Sequence, residues 1–319
     1  MSSMNPAVLV LIPLSAPALA SLSARYDVVD GTQSRDLSLL NEETRRAVVA
    51  LVTNGTTGCT PPMLAQLPAL KVVSAYGAGY ENVCVEDARA AGIQVAHAPG
   101  ANGATVADHA IALALASARD ICERNAAVRA GRWDEVRSAR PTLGGSVVGI
   151  IGMGRIGRMV ADRARAFGAA IAYHDAAAQD ASVGAFHQDV AELAAASDFL
   201  FITCPGGAAT YHLVDAKVLA ALGRDGFLVN VSRGTVVDSA SLAAALVSNA
   251  IAGAAIDVFE EEPRLPACLL EAPRLIVTPH MAGRSPASVR RQTEMLMANI
   301  DAALAGQACP HAVPEAKKG

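Results

Sequence analysis

The chain has 319 residues, of which 52% are apolar and 18% charged, and its net charge is −4. That length suits two domains or one large α/β unit. The slightly acidic balance, with no basic cluster longer than Arg290–Arg291, gives no electrostatic reason to expect nucleic acid or an anionic membrane as partner, and no run approaches the roughly 20 apolar residues of a membrane span.

Aromatic residues are only 4% of the chain, so the expected core is Ala, Val, Leu and Ile, which suits helices packed on a parallel sheet. The apolar run starting at Ala7 imitates a signal peptide. It has no positive n-region, since the first basic residue is Arg25, and a buried first strand accounts for it. Strands are expected at 8–13, 48–53, 71–75 and 93–96, with helical stretches around Glu42–Val49 and Val85–Ala91. A long apolar-rich helix pattern follows at Thr105–Arg119, then a polar stretch over 120–145. Six further strands are expected at Val147–Ile151, Ala170–Tyr173, Asp198–Thr203, Gly226–Val231, Ala254–Val258 and Leu275–Thr278. Their alternation with helices makes a doubly wound dinucleotide-binding sheet. The last helix pattern, Ser285–Leu304, is capped by Ser285 with Pro286 at its first position.

The glycine-rich turn begins near residue 150, so a separate α/β unit precedes the sheet that carries it. The final helix has no place in that sheet. We therefore expect a cofactor domain over 103–284, inserted into a split substrate domain formed by 1–102 and 285–319, with a ligand cleft between domains.

Val147–Gly157 reads VVGIIGMGRIG and contains Gly152-x-Gly154-x-x-Gly157. Gly152 permits the turn, Gly154 lets the backbone approach a pyrophosphate, and Gly157 lets the helix pack on the strand. The helix N-terminus offers N–H groups to the anion. Asp175 ends the next strand, about twenty residues on, where a carboxylate accepts from ribose hydroxyls and repels a 2′-phosphate. Residues 176–178 are all Ala, so no cation follows at once, and NAD is expected over NADP.

Three segments place polar residues at the carboxyl ends of expected strands: Val229–Gly234 with Arg233, Ala255–Pro263 with Asp257 and Glu262, and Val277–Gly283 with His280. Reducing a 2-oxo acid needs a cation to hold the carboxylate and polarise the carbonyl, and an acid to protonate the alkoxide. A guanidinium suits the first task, and an imidazole, which titrates near neutrality, suits the second. A carboxylate beside the imidazole orients it. Glu260, Glu261 and Glu262 are equal candidates for that carboxylate on composition alone.

These segments resemble the D-isomer-specific 2-hydroxyacid dehydrogenase family. So do Leu70–Val83 (LKVVSAYGAGYENV), Pro99–His109 (PGANGATVADH), Val128–Trp133 (VRAGRW) and the loop from Cys204 to Leu213. The likeness covers nearly the whole chain. It implies that Arg233, Glu262 and His280 are the catalytic triad, that the Ala78 and Gly79 amides bind the substrate carboxylate, and that Asp257 meets the nicotinamide amide. It assigns the pyrophosphate to Arg155 and Ile156, the ribose to Asp175, and the nicotinamide surroundings to Val231 and Ser232. Cys204, Pro205 and Thr210 belong to the loop over the cofactor, Asn102 and Val106 to the domain crossover, and Tyr76 flanks the carboxylate loop as a further substrate contact.

Asn54–Gly58 (NGTTG) and Ala75–Gly79 (AYGAG) look closest to the glyoxylate/hydroxypyruvate reductase branch. NADH-dependent reduction of glyoxylate or hydroxypyruvate to the D-2-hydroxy acid is therefore expected, the alternatives being a bulkier 2-oxo acid or a non-enzymatic NAD-sensing scaffold. Against the scaffold stand the complete triad and an ending, Pro314–Gly319, without an interaction tail. A homodimer through the cofactor domains is implied, with Trp133 as a packing or partner-subunit anchor. Six scattered cysteines without a CxxC pair or a zinc-like spacing read as reduced thiols in a cytoplasmic protein with no metal. The Gly206–Gly207 pair is more glycine-rich than the family pattern and has no functional reading from sequence.

Overall fold

The computed structural model describes residues 5–34 and 36–315; residues 316–319 of the C-terminal ending lie outside them. Two compact units are formed, residues 1–102 with 285–319, and residues 103–284.

The first unit is a five-stranded parallel sheet of β1 (Ala7–Val10), β2 (Asp27–Asp30), β3 (Val48–Thr53), β4 (Val72–Ala75) and β5 (Gln94–Ala96), in the order β2-β1-β3-β4-β5. That is the doubly wound order whose switch point lies between β1 and β3. Successive strand residues face opposite sides. Leu9, Leu51, Val73 and Val95 enter one core, while Val8, Val10, Ala50, Val52 and Val72 enter the other. The helix Pro286–Leu304 covers the second core with Leu296, Met297, Ile300 and Ala303. β2 is absent from the expected strands because DVVD has two apolar residues between acids on a half-exposed edge. β1 ends at Val10 rather than at 13, although the Leu11 amide still donates to Val52 O at 2.9 Å.

The second unit holds seven parallel strands: β6 (Val147–Ile151), β7 (Ala170–His174), β8 (Ala185–Phe186), β9 (Phe199–Ile202), β10 (Phe227–Asn230), β11 (Gly253–Ile256) and β12 (Leu275–Val277). Their order is β12-β11-β10-β9-β6-β7-β8, so the direction of winding reverses between β6 and β9. The two-residue β8 is too short to carry an alternation signal, and the six longer strands fall where the sequence puts them. Strands buried on both faces read as continuous apolar runs. Phe199 and Phe227 stack at 5.2 Å on one face, each contributing about 1.5–3 kcal/mol by burial. Helix Gly103–Ala118 packs on that face and is tied to helix Arg155–Ala166 by Arg163–Asp108 at 2.6 Å. The stretch over 120–145 contains an unexpected helix, Ile121–Arg129; it is mostly exposed, so no apolar stripe announced it. Among the described residues no helix is long and apolar enough to cross a membrane.

Ser285 caps the last helix through a reciprocal box. Its hydroxyl accepts from the Ser288 amide at 3.1 Å, and the Ser288 hydroxyl accepts from the Ser285 amide at 2.8 Å. Ser285→Ala should lower the unfolding free energy of the first unit by about 1 kcal/mol, read as a lower urea midpoint with unchanged slope.

Candidate active site

The glycine turn sits at the switch point of the seven-stranded sheet, where open α/β sheets bind ligands. Gly152 has φ 93°, and a Cβ there would lie 2.5 Å from the Cys204 backbone. A Cβ on Gly157 would lie 2.2 Å from Gly152 O. These two glycines seat strand, turn and helix against one another. Gly154 differs: a Cβ there would meet nothing within 4 Å. The helix Arg155–Ala166 starts at this point without a side-chain cap, so Arg155 and Ile156 open a helix end facing open space. A dinucleotide pyrophosphate fits such a cradle, since it takes backbone N–H groups and the positive end of the helix.

Neighbouring strand ends are stitched to the turn. Thr203 Oγ1 donates to Gly152 O at 2.7 Å, and Ser232 Oγ donates to Cys204 O. Thr210 closes its own loop by donating to Pro205 O at 2.8 Å. Val106 and Val231 are buried in the same core. Burial pushes the Cys204 thiol up to about 11. Asp175 accepts from the amides of Met153 (2.9 Å) and Ala176 (2.7 Å), so its carboxylate is held beside the glycine turn.

His280 and Glu262 meet. His280 Nδ1 lies 2.7 Å from Glu262 Oε2. A carboxylate only accepts, so Nδ1 carries the hydrogen and Nε2 is the nitrogen left for chemistry. The other Glu262 oxygen accepts from the Phe259 amide at 3.3 Å. His280 is in the left-handed region, with φ 49°, and Asp257 explains how it stays there. The Asp257 carboxylate, 1% exposed, accepts from Thr278 Oγ1 (2.5 Å) and from the amides of Met281 (2.9 Å) and Ala282 (2.8 Å), while its carbonyl accepts from the His280 amide at 2.8 Å. His109 Nε2 backs this knot at 3.1 Å from Thr278 Oγ1.

Arg233 follows β10, next to β11 in the sheet. A Cβ on Gly234 would lie 2.0 Å from the Phe259 carbonyl carbon, so only glycine lets the Arg233 turn approach the segment leading to Glu262. Asn230 Nδ2 donates to Arg233 O at 3.0 Å, and Arg233 Nη1 donates to Ser232 O at 2.7 Å. The Gly206–Gly207 pair acquires a reason here. A Cβ on Gly206 would lie 2.7 Å from Arg233 Cγ, and Gly207 has φ 144°. Gly206 leaves room for the Arg233 stem, and Gly207 supplies a backbone angle that other residues rarely adopt.

In the first unit, the loop after β4 is held from below. His97 Nδ1 lies 2.8 Å from Ala78 O, and the Ala98 amide donates to Gly77 O at 2.7 Å. A Cβ on Gly55 would lie 2.8 Å from the Gly79 carbonyl carbon, which gives the first glycine of NGTTG its task. Tyr76 does not simply flank this loop: its hydroxyl is 3.0 Å from Thr293 Oγ1 and 3.2 Å from Val289 O, on the last helix. Asn102 is the last residue of this unit's first segment.

Sequence reasoning missed a second imidazole–carboxylate pair. His212 Nε2 lies 2.7 Å from Glu260 Oε1, and Glu260 Oε2 accepts from the Ser239 amide at 3.0 Å. Of the three consecutive glutamates, then, the first and third serve different histidines, and Glu261 is exposed. Only the fold pairs residues 48 positions apart.

Burial pushes the Glu260 carboxyl up, but the His212 and Ser239 bonds outweigh it and leave it below its ordinary 4.5. A carboxylate lowered by folding stabilises fully above its unfolded value and loses that contribution as pH falls through the folded one. Glu260→Gln should therefore lower the melting temperature at pH 7, and the difference from wild type should shrink below about pH 4.5. In the native protein at pH 8, iodoacetamide should label the exposed Cys122 and Cys268 well before Cys204, as peptide mapping would show.

Comparison with known proteins places these features in a family. The family model for the NAD-binding domain of D-isomer specific 2-hydroxyacid dehydrogenases matches residues 111–282. Glyoxylate/hydroxypyruvate reductase A of Arabidopsis thaliana is 33% identical, over 94% of this chain and 96% of the relative. A 2-ketogluconate reductase of Gluconobacter oxydans is 38% identical over 80% of this chain and 81% of its own. The structure of an NADPH-dependent glyoxylate/hydroxypyruvate reductase from Sinorhizobium meliloti, in complex with NADP and malonate, superposes with a TM-score of 0.88 at 34% identity, covering 97% of both chains. The chain belongs to the D-isomer-specific 2-hydroxyacid dehydrogenase family, in its glyoxylate/hydroxypyruvate reductase branch, and is an oxidoreductase with a domain for a nicotinamide cofactor.

Proposed function

We propose that this protein reduces glyoxylate or hydroxypyruvate to the D-2-hydroxy acid with NADH as donor. The observation that carries the reading is the His280–Glu262 pair at 2.7 Å, mounted in the same unit as the open glycine cradle and at the same end of its strands. A bound dihydronicotinamide supplies the hydride that C2 of the substrate receives. Arg233 forks onto the carboxylate and the carbonyl oxygen and stabilises the negative charge that develops there. His280 gives its Nε2 proton to that oxygen, and Glu262 holds the ring in the required tautomer and stabilises the imidazolium. The Ala78 and Gly79 amides are assigned the substrate carboxylate, and Tyr76 and Asn102 the substrate surroundings.

Gly152, Gly154, Arg155, Ile156 and Gly157 take the pyrophosphate, and Asp175 takes the adenosine ribose, favouring NADH over NADPH. Val106, Cys204, Pro205, Thr210, Val231 and Ser232 surround the cofactor. Asp257 accepts from the nicotinamide amide as well as anchoring the His280 turn. Exposed Ile121, Val128 and Trp133 (58%) in the segment after helix Gly103–Ala118 support a homodimer through the cofactor domains. The six unpaired thiols suit the cytoplasm. Likeness to a 2-ketogluconate reductase favours, as the second reading, the same chemistry on a longer 2-oxo acid.

Steady-state oxidation of NADH and NADPH against a panel of 2-oxo acids tests the reading. Glyoxylate and hydroxypyruvate should give the highest kcat/KM, with NADH the better donor. His280→Ala should lower kcat by about 10²–10⁴-fold, and Arg233→Lys should raise KM because an ammonium cannot fork. A preference for 2-ketogluconate would move the assignment to the second reading, and unchanged turnover in His280→Ala would end the triad assignment.

A further inference from the structure

The wall that faces the adenosine ribose contains more than Asp175. Gln179 Nε2 donates to Asp175 Oδ2 at 3.2 Å and to Met153 O at 3.1 Å, and the Gln179 amide donates to the buried Tyr173 hydroxyl at 2.7 Å. The other end of the same side chain, Oε1, accepts from Arg158 Nη2. Arg158 follows Gly157 in the helix that leaves the glycine turn, and it is exposed. One neutral amide thus stands between the acid that meets the ribose and a guanidinium. The sequence has no cation at 176–178, but the fold brings one in from the helix that follows the glycine turn.

Resting on the NADH reading above, we propose that Arg158 is a latent receptor for a ribose 2′-phosphate, kept inactive by two neighbours. Asp175 repels the phosphate dianion, and Gln179 occupies the guanidinium while helping to orient the Asp175 carboxylate. Cofactor preference in this chain is then set by the Asp175 charge together with the Gln179 amide that holds Arg158, and not by the absence of a cation. Removing that charge exposes a site that already holds a phosphate-binding group, because a guanidinium forks onto phosphate oxygens. Gln179 is a positioning residue in this arrangement.

The test is binding, measured by isothermal titration calorimetry with NAD+ and NADP+, without turnover. Asp175→Asn keeps the side chain's shape and should tighten NADP+ by about tenfold or more, since a like charge beside the phosphate is gone. The double variant Asp175→Asn/Arg158→Gln should lose that gain, and Asp175→Asn/Arg158→Lys should keep part of it. In Asp175→Asn the NADP+ affinity should also fall more steeply with salt than the NAD+ affinity. A double variant with Gln that keeps the full gain overturns the role of Arg158. Should the unaltered protein bind NADP+ more tightly than NAD+, the NADH reading fails by itself. Arg158→Gln then decides the remainder: selective loss of NADP+ affinity assigns the phosphate to Arg158 but overturns its latency, and an unchanged preference overturns both. Melting temperatures and NAD+ affinities of each variant identify any that misfold.

Discussion

One buried carboxylate organises the reactive end of this molecule. Asp257 is almost wholly out of water, and a charge there is tolerable only if donors satisfy it. Thr278 Oγ1 and the amides of Met281 and Ala282 do so, and all three lie within two residues of His280. The condition that makes the Asp257 charge bearable also folds the turn into one shape. That shape includes a left-handed backbone at His280, which a non-glycine residue adopts only when its surroundings over-determine it. The imidazole is then delivered to Glu262 by backbone geometry rather than by a freely rotating side chain.

A second constraint is repeated at each approach of backbone to backbone. Gly152 against Cys204, Gly157 against Gly152, Gly234 against Phe259 and Gly55 against Gly79 all lack room for a Cβ. Gly152, Gly234 and Gly55 lie where a loop leaves a strand's carboxyl end, and Gly157 lies in the first turn of the helix that follows. Parallel strands point all their ends to one edge, so loops crowd there, and glycine is what lets them crowd without voids. Gly154 has open space instead, and that contrast separates a glycine that leaves its backbone open to approach from those that also seat one segment against another.

The acidic run Glu260–Glu262 shows how three identical letters divide their work. Glu260 ties His212 to the start of helix Ser239–Val247, and Glu262 orients His280. Arg158 and Gln179 make the same point on the cofactor side. Neither stands out in the chain, yet together with Asp175 they form a continuous hydrogen-bonded path.

Much of the fold was legible in the chain. Ten of the strands were expected, most of them as apolar runs punctuated by glycines and helices, and a strand buried on both faces must read that way. Asp27–Asp30 was not legible because acids bracket its two apolar residues, and Ala185–Phe186 because two residues are too few to leave a pattern. The glycine turn, Asp175 and the polar strand ends could be named because chemistry demands those residue types at those places. Which glutamate serves which histidine, what stands against Gly206, and which cation shares Gln179 with Asp175 were decided by the tertiary structure. Those are contacts between residues far apart in sequence, and local periodicity holds no information about which distant side chain will stand opposite.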